Sequence, residues 1–579
     1  MITKYMKNIL VAFAVGCGIF ATTSCSDSYM ESLNEDKSKS TSIEPSAQLT
    51  TALLQTYGDF GLMDTYRSYI TGFTQHFAGG WNVSNYAGDV HPQDDQMRLV
   101  WDQFYSVGIK NIVDAIANSE DKPNTNAALR IHRVYMMSML TDIYGDIPCM
   151  DAGKGFTDGI ANPRYDKQED IYNFFFEELA ACVEQLGTGS DRIGGDVTSM
   201  AGDAAAWKRY ANALRLRFAM RISEVNPSKA QQEFEKALSA AGGYIKSADQ
   251  DAYIIYTDGP FTLYDGSRDL DFRVNALGEI LYGQDPTSPT FVCSTLFDIL
   301  KNNNDPRLYR ICRHYINTKR SEVQPDREWN IDVTDEVVAY LEKVGTYTAC
   351  VPGAAWWSDW VNAPANSEIP TLERYVNLYP EAGFDQNNFN ARMIRPFLSI
   401  DFEMPDRPGT LINYAEVEFL LAEAKDKGWN VSGTVEEHFT AGVRASMQWL
   451  NDHYLQSKDK IADGEIDAYI NGLLAAAVLD NAKQAINTQA WILHMMNPSE
   501  AWANLRRSDY PVIADREKLP TRPDFPNDEP NKKTPTRLRY PILENQYNSV
   551  NYQEALDRMG GTDDWHHRLW WDTADLHVE

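Results

Sequence analysis

The string WWSDW places Trp356, Trp357 and Trp360 within a few residues of one another, in a stretch without hydrophobic period, and Arg374 follows beside Tyr375. Trp81 stands after Gly79 and Gly80, which would let a large side chain project, and Asp64 lies two positions before Tyr66. Indole faces stack on the C–H faces of sugar rings, while carboxylate and guanidinium groups bond hydroxyls in set directions. Trp81, Asp64, Trp356, Trp357, Trp360 and Arg374 are therefore the residues expected to contact a glycan. Each has a plainer alternative: a tryptophan can be core packing, and Asp64 and Arg374 can be solvated or paired surface charges. Trp101, Trp207, Trp449, Trp491 and Trp502 fall on helical stripes and are expected inside, and Trp570 and Trp571 are expected to pack as well.

A second chemistry is written at the start of the chain. Lys4 and Lys7 precede an apolar run from Ile9 to Ala21, and Thr22, Thr23 and Ser24 lead into Cys25. Charged, apolar and small residues in that order form a bacterial export signal. The run is well short of the roughly 20 residues that span a bilayer as a helix. A cysteine at that junction resembles a lipobox, in which the thiol takes a diacylglyceryl group. Two acyl chains give lasting attachment where one is marginal. Cys17 competes as the modified residue, but only Ile9 to Phe13 would remain as the apolar core ahead of it. The expected organisation is a lipoprotein signal peptide over 1–24, a lipidated tether rich in Ser, Asp, Glu and Lys over 25–48, and one folded domain over 49–579.

Composition removes several function classes. A formal net charge of −29 opposes binding to nucleic-acid backbones. Five cysteines remain beyond the signal, an odd number with no C-x-x-C pair, so neither a disulfide framework nor a zinc site is indicated and the thiols are expected to be buried. The chain has no H-E-x-x-H, the nearest string being EEHFT at 436–440, and no G-x-S-x-G. Gly153-Lys154-Gly155 lacks the remainder of a phosphate-binding loop, and adjacent His566 and His567 point apart on any regular element. No D-x-D-x-D-G calcium loop is present. No cofactor and no metal are expected. Glycoside hydrolysis needs only two carboxylates, so a surface glycosidase stands as the enzymatic alternative.

These residues must be positioned by helices, mostly in pairs. Leu129, Met136, Leu140 and Ile143 recur at helical spacing, with Asn126 as the expected cap and Gly145 and Pro148 as the stop. Asp203 opens a helix carrying Trp207, Tyr210, Leu214 and Phe218, and Asn226-Pro227-Ser228 separates it from the next. A third helix is expected from Leu411 to Lys427 and a fourth from Val435, with Ala415, Ala422 and Ala424 facing Ala441, Gly442 and Ala445. A last pair flanks Asn497-Pro498-Ser499. Such pairs resemble tetratricopeptide hairpins without a strict repeat. Long irregular insertions, 253–282, 320–400 and 515–548, interrupt them, and loops of that length are usually functional.

Several strings taken together resemble the SusD/RagB outer-membrane nutrient-binding lipoproteins: GFTQHFAGGW ending at Trp81, YGDIP at 144–148, RYDKQEDIY, WKRYANALRLRFAMR, NNDPRL at 303–308, YAEVEFLLAEA at 414–424, EAWANLRRSDYP at 500–511, RLRYPILENQYN from Arg537, and LWWD at 569–572. They run in order along nearly the whole chain. Lys37 departs from the pattern, where a proline is usual after Asn34-Glu35-Asp36. The resemblance implies a mainly α protein whose tetratricopeptide-like hairpins form a right-handed superhelical scaffold with long loop insertions, anchored at the Bacteroidetes cell surface. It also implies a lid on a SusC-like TonB-dependent transporter, with oligosaccharide, or alternatively peptide, as the captured ligand and no catalysis.

Overall fold

The computed structural model describes residues 43–79, 86–87, 91–257, 272–282, 290–315, 330–332, 397–516 and 533–579. Residues 45–579 form one compact unit. Its principal helices are α1 (Pro45–Gly58), α2 (Pro123–Tyr144), α3 (Gln168–Gln185), α4 (Ala204–Arg221), α5 (Pro227–Ser239), α6 (Tyr414–Asp426), α7 (Val435–His453), α8 (Ala482–Leu493) and α9 (Pro498–Ser508). The fold is mainly helical, with tetratricopeptide-like helix pairs. Helix α1 opens at Pro45, so the last residues of the stretch expected as tether are helical. Residues 25–42, Cys25 included, lie outside the described residues.

Local chemistry explains most boundaries. Asp203 caps α4 by accepting the N–H groups of Ala205 and Ala206, and Asn226 caps α5 ahead of Pro227. Thr434 and Glu437 close a reciprocal capping box at α7, and Asn497 caps α9 with Pro498 in its first turn. Two expected starts move. Helix α2 begins at Pro123 rather than after Asn126, because proline suits a first turn and Asp191 accepts the N–H groups of Asn124 (3.2 Å) and Thr125 (2.9 Å). Asn126 instead donates to Ile116 O (3.0 Å), tying α2 to the preceding helix. Helix α6 starts at Tyr414, since residues 409–412 are drawn into a strand before Asn413 caps it.

Helix α3 packs between α2 and α4, α4 reaches α5 and α6, α6 supports α7 and α8, and α9 returns from α8 to α2. Gly442 of α7 lies against the Phe419 ring of α6, where a Cβ would meet ring carbons at 2.6 Å. The close approach of that hairpin is thus real, though it is filled by a ring as well as by small residues. The tryptophans expected inside, Trp101, Trp207, Trp449, Trp491 and Trp502, are all buried, as is Trp571. Cys149, Cys182, Cys293 and Cys312 are buried, and burial pushes the thiols of Cys149 and Cys182 up to about 12.

Between the helices, short strands gather from distant segments: β1 (Phe77–Gly79), β2 (Ala252–Ile254), β3 (Thr290–Val292), β4 (Cys312–Tyr315), β5 (Asn330–Asp332), β6 (Phe397–Leu398) and β7 (Gly409–Ile412). They form an antiparallel sheet in the order β1-β3-β6-β4-β5 and a separate β2-β7 ribbon.

Ion pairs cross the core between helices. Arg217 of α4 grips Glu416 of α6 through Nε (2.6 Å) and Nη2 (2.7 Å), and Arg221, one turn on, donates to Glu500 of α9 (2.6 Å). Arg507 of α9 binds Glu423 of α6 through two nitrogens, at 2.6 and 2.7 Å, with Asn487 and Asn504 completing its contacts. Burial alone would raise the Glu423 carboxyl, but Arg507 outweighs it and holds the group at about 2. A depressed carboxylate stabilises the fold above its unfolded range, near 4.5, and that stabilisation is lost as pH falls toward about 2. Glu423→Gln leaves the guanidinium unpaired and is expected to cost about 3–5 kcal/mol. In urea unfolding the gap between wild type and variant should narrow as pH drops below about 4.5; a gap independent of pH would contradict the assignment.

Candidate ligand-binding site

Asp64 and its neighbours arise from a break in helical geometry. Asp59 caps the short helix Phe60–Thr65 by accepting the Leu62 N–H (3.1 Å), and the chain continues as a wide π turn over Tyr66–Ile70. Such turns occur frequently at functional sites. Here Arg67 lies over Asp64: Nη2 donates to Oδ1 at 2.5 Å, and Ser68 Oγ donates to the same oxygen at 3.3 Å. Asp64 and Arg67 are 7% and 4% exposed. Asp64 is thus half of an internal pair rather than a solvated charge, and Arg67 Nε has no hydrogen-bond partner among the described residues. Tyr66, its aromatic neighbour in the sequence, is turned fully into the core.

Tyr86 supplies the aromatic component. Its ring stacks on Tyr69 (centroids 5.6 Å apart, 28°) and lies nearly parallel to the His91 imidazole (6.3 Å, 21°). Partial burial, and then the nearby Asp64 carboxylate, push its phenol up. Tyr69 beneath it is buried; its hydroxyl donates to His91 O (2.8 Å) and accepts the Gln93 N–H (2.9 Å), fixing the chain that follows. The Tyr69 ring meets Trp565 edge-on at 6.3 Å. A half-buried phenol near a carboxylate–guanidinium pair combines the aromatic and polar groups that a saccharide ligand uses.

Of the expected contact residues the structure describes Asp64 alone. Trp81, Trp356, Trp357, Trp360 and Arg374 lie outside the described residues. In sequence Trp81 sits between the end of β1 at Gly79 and Tyr86. Sequence reasoning missed Arg67 and Tyr86. The three-residue spacing of Asp64 and Arg67 was available as a helical pairing signal, and Tyr86 follows Trp81 by five positions in a stretch without period.

Glu416, His494 and Glu500 bring one ligand atom each within 4.8 Å of one another, a grouping with the donor types of a metal site. Both carboxylates are already held by Arg217 and Arg221, and burial pushes the His494 imidazole down. A cation there would have to displace a guanidinium. No described helix is long and apolar enough to cross a membrane.

Comparison with known proteins gives this geometry a setting. The profile of a SusD-like family described as "Starch-binding associating with outer membrane" matches residues 37–326 and 373–541. A solved Bacteroidetes SusD-like structure is 38% identical, with a TM-score of 0.79 over 92% of this chain and 100% of the other. A chitin-binding protein is 29% identical over the same shares, with a TM-score of 0.69. A SusD homologue from Bacteroides uniformis, 23% identical with a TM-score of 0.66 over 92% of this chain and 100% of the other, shares the fold. No curated protein matches. The chain belongs to the SusD-like family of outer-membrane nutrient-binding proteins, which bind their ligands rather than transform them.

Proposed function

We propose that this chain is a cell-surface lipoprotein, tethered through an acylated Cys25, that captures oligosaccharides and delivers them to a SusC-like TonB-dependent barrel for import. The family match over residues 37–326 and 373–541 carries the reading. The lipobox-like junction at Cys25 supports the tether, and the half-buried Tyr86 near the Asp64–Arg67 pair supports a saccharide ligand. Trp81, which precedes Tyr86 closely in sequence, is assigned the main stacking face, with Trp356, Trp357, Trp360 and Arg374 as further contacts. Asp64, being buried and paired, orients Arg67 and Tyr86 beneath the ligand. The relative named as chitin-binding makes oligomers of N-acetylglucosamine the first ligand to try.

Calorimetry of the purified protein against chito-oligosaccharides, other glucans and a peptide pool tests the ligand class. Saturable heat with one saccharide series is expected, with no new reducing ends after prolonged incubation; heat from peptides alone, or steady bond cleavage, would overturn the reading. Trp81→Ala should weaken binding about ten-fold or more at unchanged melting temperature, and Tyr86→Ala should weaken it by a similar factor. Unchanged affinity in both variants removes this site.

The tether is tested separately. In the native host, Cys25→Ala should move the protein from the membrane pellet to the soluble fraction, and the wild-type amino terminus should carry a mass increase on Cys25. A wild-type protein cleaved ahead of an unmodified residue would refute the anchor.

A further inference from the structure

The EEHFT string at 436–440 holds a histidine that the functional reading leaves unused. His438 lies near the start of α7, half-buried, with both ring nitrogens engaged. Nδ1 is 2.6 Å from Glu418 Oε2 on α6, and Nε2 is 2.7 Å from Ser432 O in the loop that joins the two helices. A carboxylate oxygen and a carbonyl oxygen are both acceptors, whereas a neutral imidazole has one N–H to give. Two hydrogens are therefore needed, and the arrangement is that of an imidazolium between two acceptors. Glu418 is 8% exposed, so water screens the charge-assisted contact only in part.

The loop is shaped for that contact. Gly428 and Gly433 both take left-handed backbone (φ 79° and 78°) and bracket residues 429–432. A Cβ on Gly433 would lie 3.1 Å from His438 Nε2, tighter than ordinary contact, so glycine is what lets the ring come this close to the backbone. Trp429 and Val431 are buried, Trp429 against the Phe234 ring of α5 (5.1 Å), and Lys425 Nζ donates to Val431 O (2.9 Å). Those contacts fasten the first half of the loop. Residues 432–434 are exposed, and their half is held by His438 and by the Thr434–Glu437 capping box.

The groups that face the ring are acidic. Glu418 comes from α6 and Glu437 from α7, while residues 429–434 of the loop carry no titratable side chain. On α5, Glu235 accepts the Asn430 N–H (3.1 Å). Tyr414, one turn before Glu418, faces that carboxylate; burial and then Glu418 push its phenol up to about 12, and Tyr244 stands near both. The bond to Glu418 pushes the His438 imidazole above its ordinary 6.5, against partial burial. A group raised on folding stabilises the fold fully below its unfolded value, and that stabilisation is lost as pH rises through the raised value. Beyond that point Nδ1 turns a lone pair on the Glu418 carboxylate at hydrogen-bond distance, a repulsive contact that the exposed half of the loop relieves by moving.

We propose that His438 is a proton-operated clasp on the α6–α7 loop: charged, it ties residues 432–434 to α6 through Glu418, and on losing a proton it lets that half of the loop go. Hydrogen exchange on the full chain, read at the amides of positions 434, 437 and 438 and corrected for the intrinsic pH dependence of exchange, tests it. Wild-type protection should fall several-fold from about pH 6 to about pH 9. His438→Ala should show the lower protection throughout. Glu418→Gln separates the clasp from simple packing. A carboxamide donates to Nδ1 of a neutral imidazole, so both contacts survive without the charge and protection should stay high across the range. Wild-type protection that does not change with pH, full protection in His438→Ala, or the wild-type fall repeated in Glu418→Gln overturns the proposal.

Discussion

Buried guanidinium groups set the geometry of this protein. Taking a charge out of water is costly, and the cost is offset only where each donor finds a well-placed acceptor. Arg217 meets that condition: burial pulls its pKa down, but Glu416 and Glu500 overcome burial and push it up. Arg506 shows the opposite limit. Its N–H groups end on the carbonyl oxygens of Trp502, Thr536 and Asp142, its Cζ lies 3.6 Å from the Trp502 ring centroid, and burial pushes it down to about 9. One helix, α9, therefore carries Glu500, Arg506 and Arg507, each committed to a different neighbour, and small shifts of that helix would strand several charges together.

The strings that gave the family resemblance turn out to be largely this lattice. YGDIP begins two residues after Asp142 of α2; RLRFAMR supplies Arg217 and Arg221; YAEVEFLLAEA supplies Glu416 and Glu423; EAWANLRRSDYP supplies Glu500, Arg506 and Arg507; LWWD supplies Trp571, whose Nε1 donates to Asp142 (3.0 Å). Helix ends were legible because caps are local: Asp203, Asn226, Thr434 and Asn497 act within their own first turns. The sheet was not, because three-residue strands drawn from insertions have too little period to register, and Leu411 and Ile412, in the last half of a strand, read as the start of a helix. Charged residues on a helical stripe ordinarily mark a solvated face, so nothing in the spacing of Arg217 and Arg221 announced that they were buried.

Of the candidate site, aromatic character was legible and arrangement was not. Asp64 looked like an accessory to Tyr66 because they are near in sequence, but the π turn buries Tyr66 and offers Arg67 instead. A change from 3.6 residues per turn rotates everything after it, and no composition signal marks where that happens. Tyr86 reaches Tyr69 across a gap of chain that pattern analysis has no means of closing.

Site and lattice are joined by a continuous run of rings. Tyr86 rests on Tyr69, Tyr69 meets Trp565 (6.3 Å) and Phe73 (5.7 Å), Phe73 meets Trp502 (5.7 Å), and Trp502 carries Arg506. Close-packed rings have few alternative arrangements, so the floor under Tyr86 is held by the same helices that the ion pairs hold. The consequence is thermodynamic: a ligand settling there would order little of the floor and so would lose little of its interaction energy to protein rearrangement. The same rings thus link the half-buried Tyr86 to the helix that carries Glu500, Arg506 and Arg507.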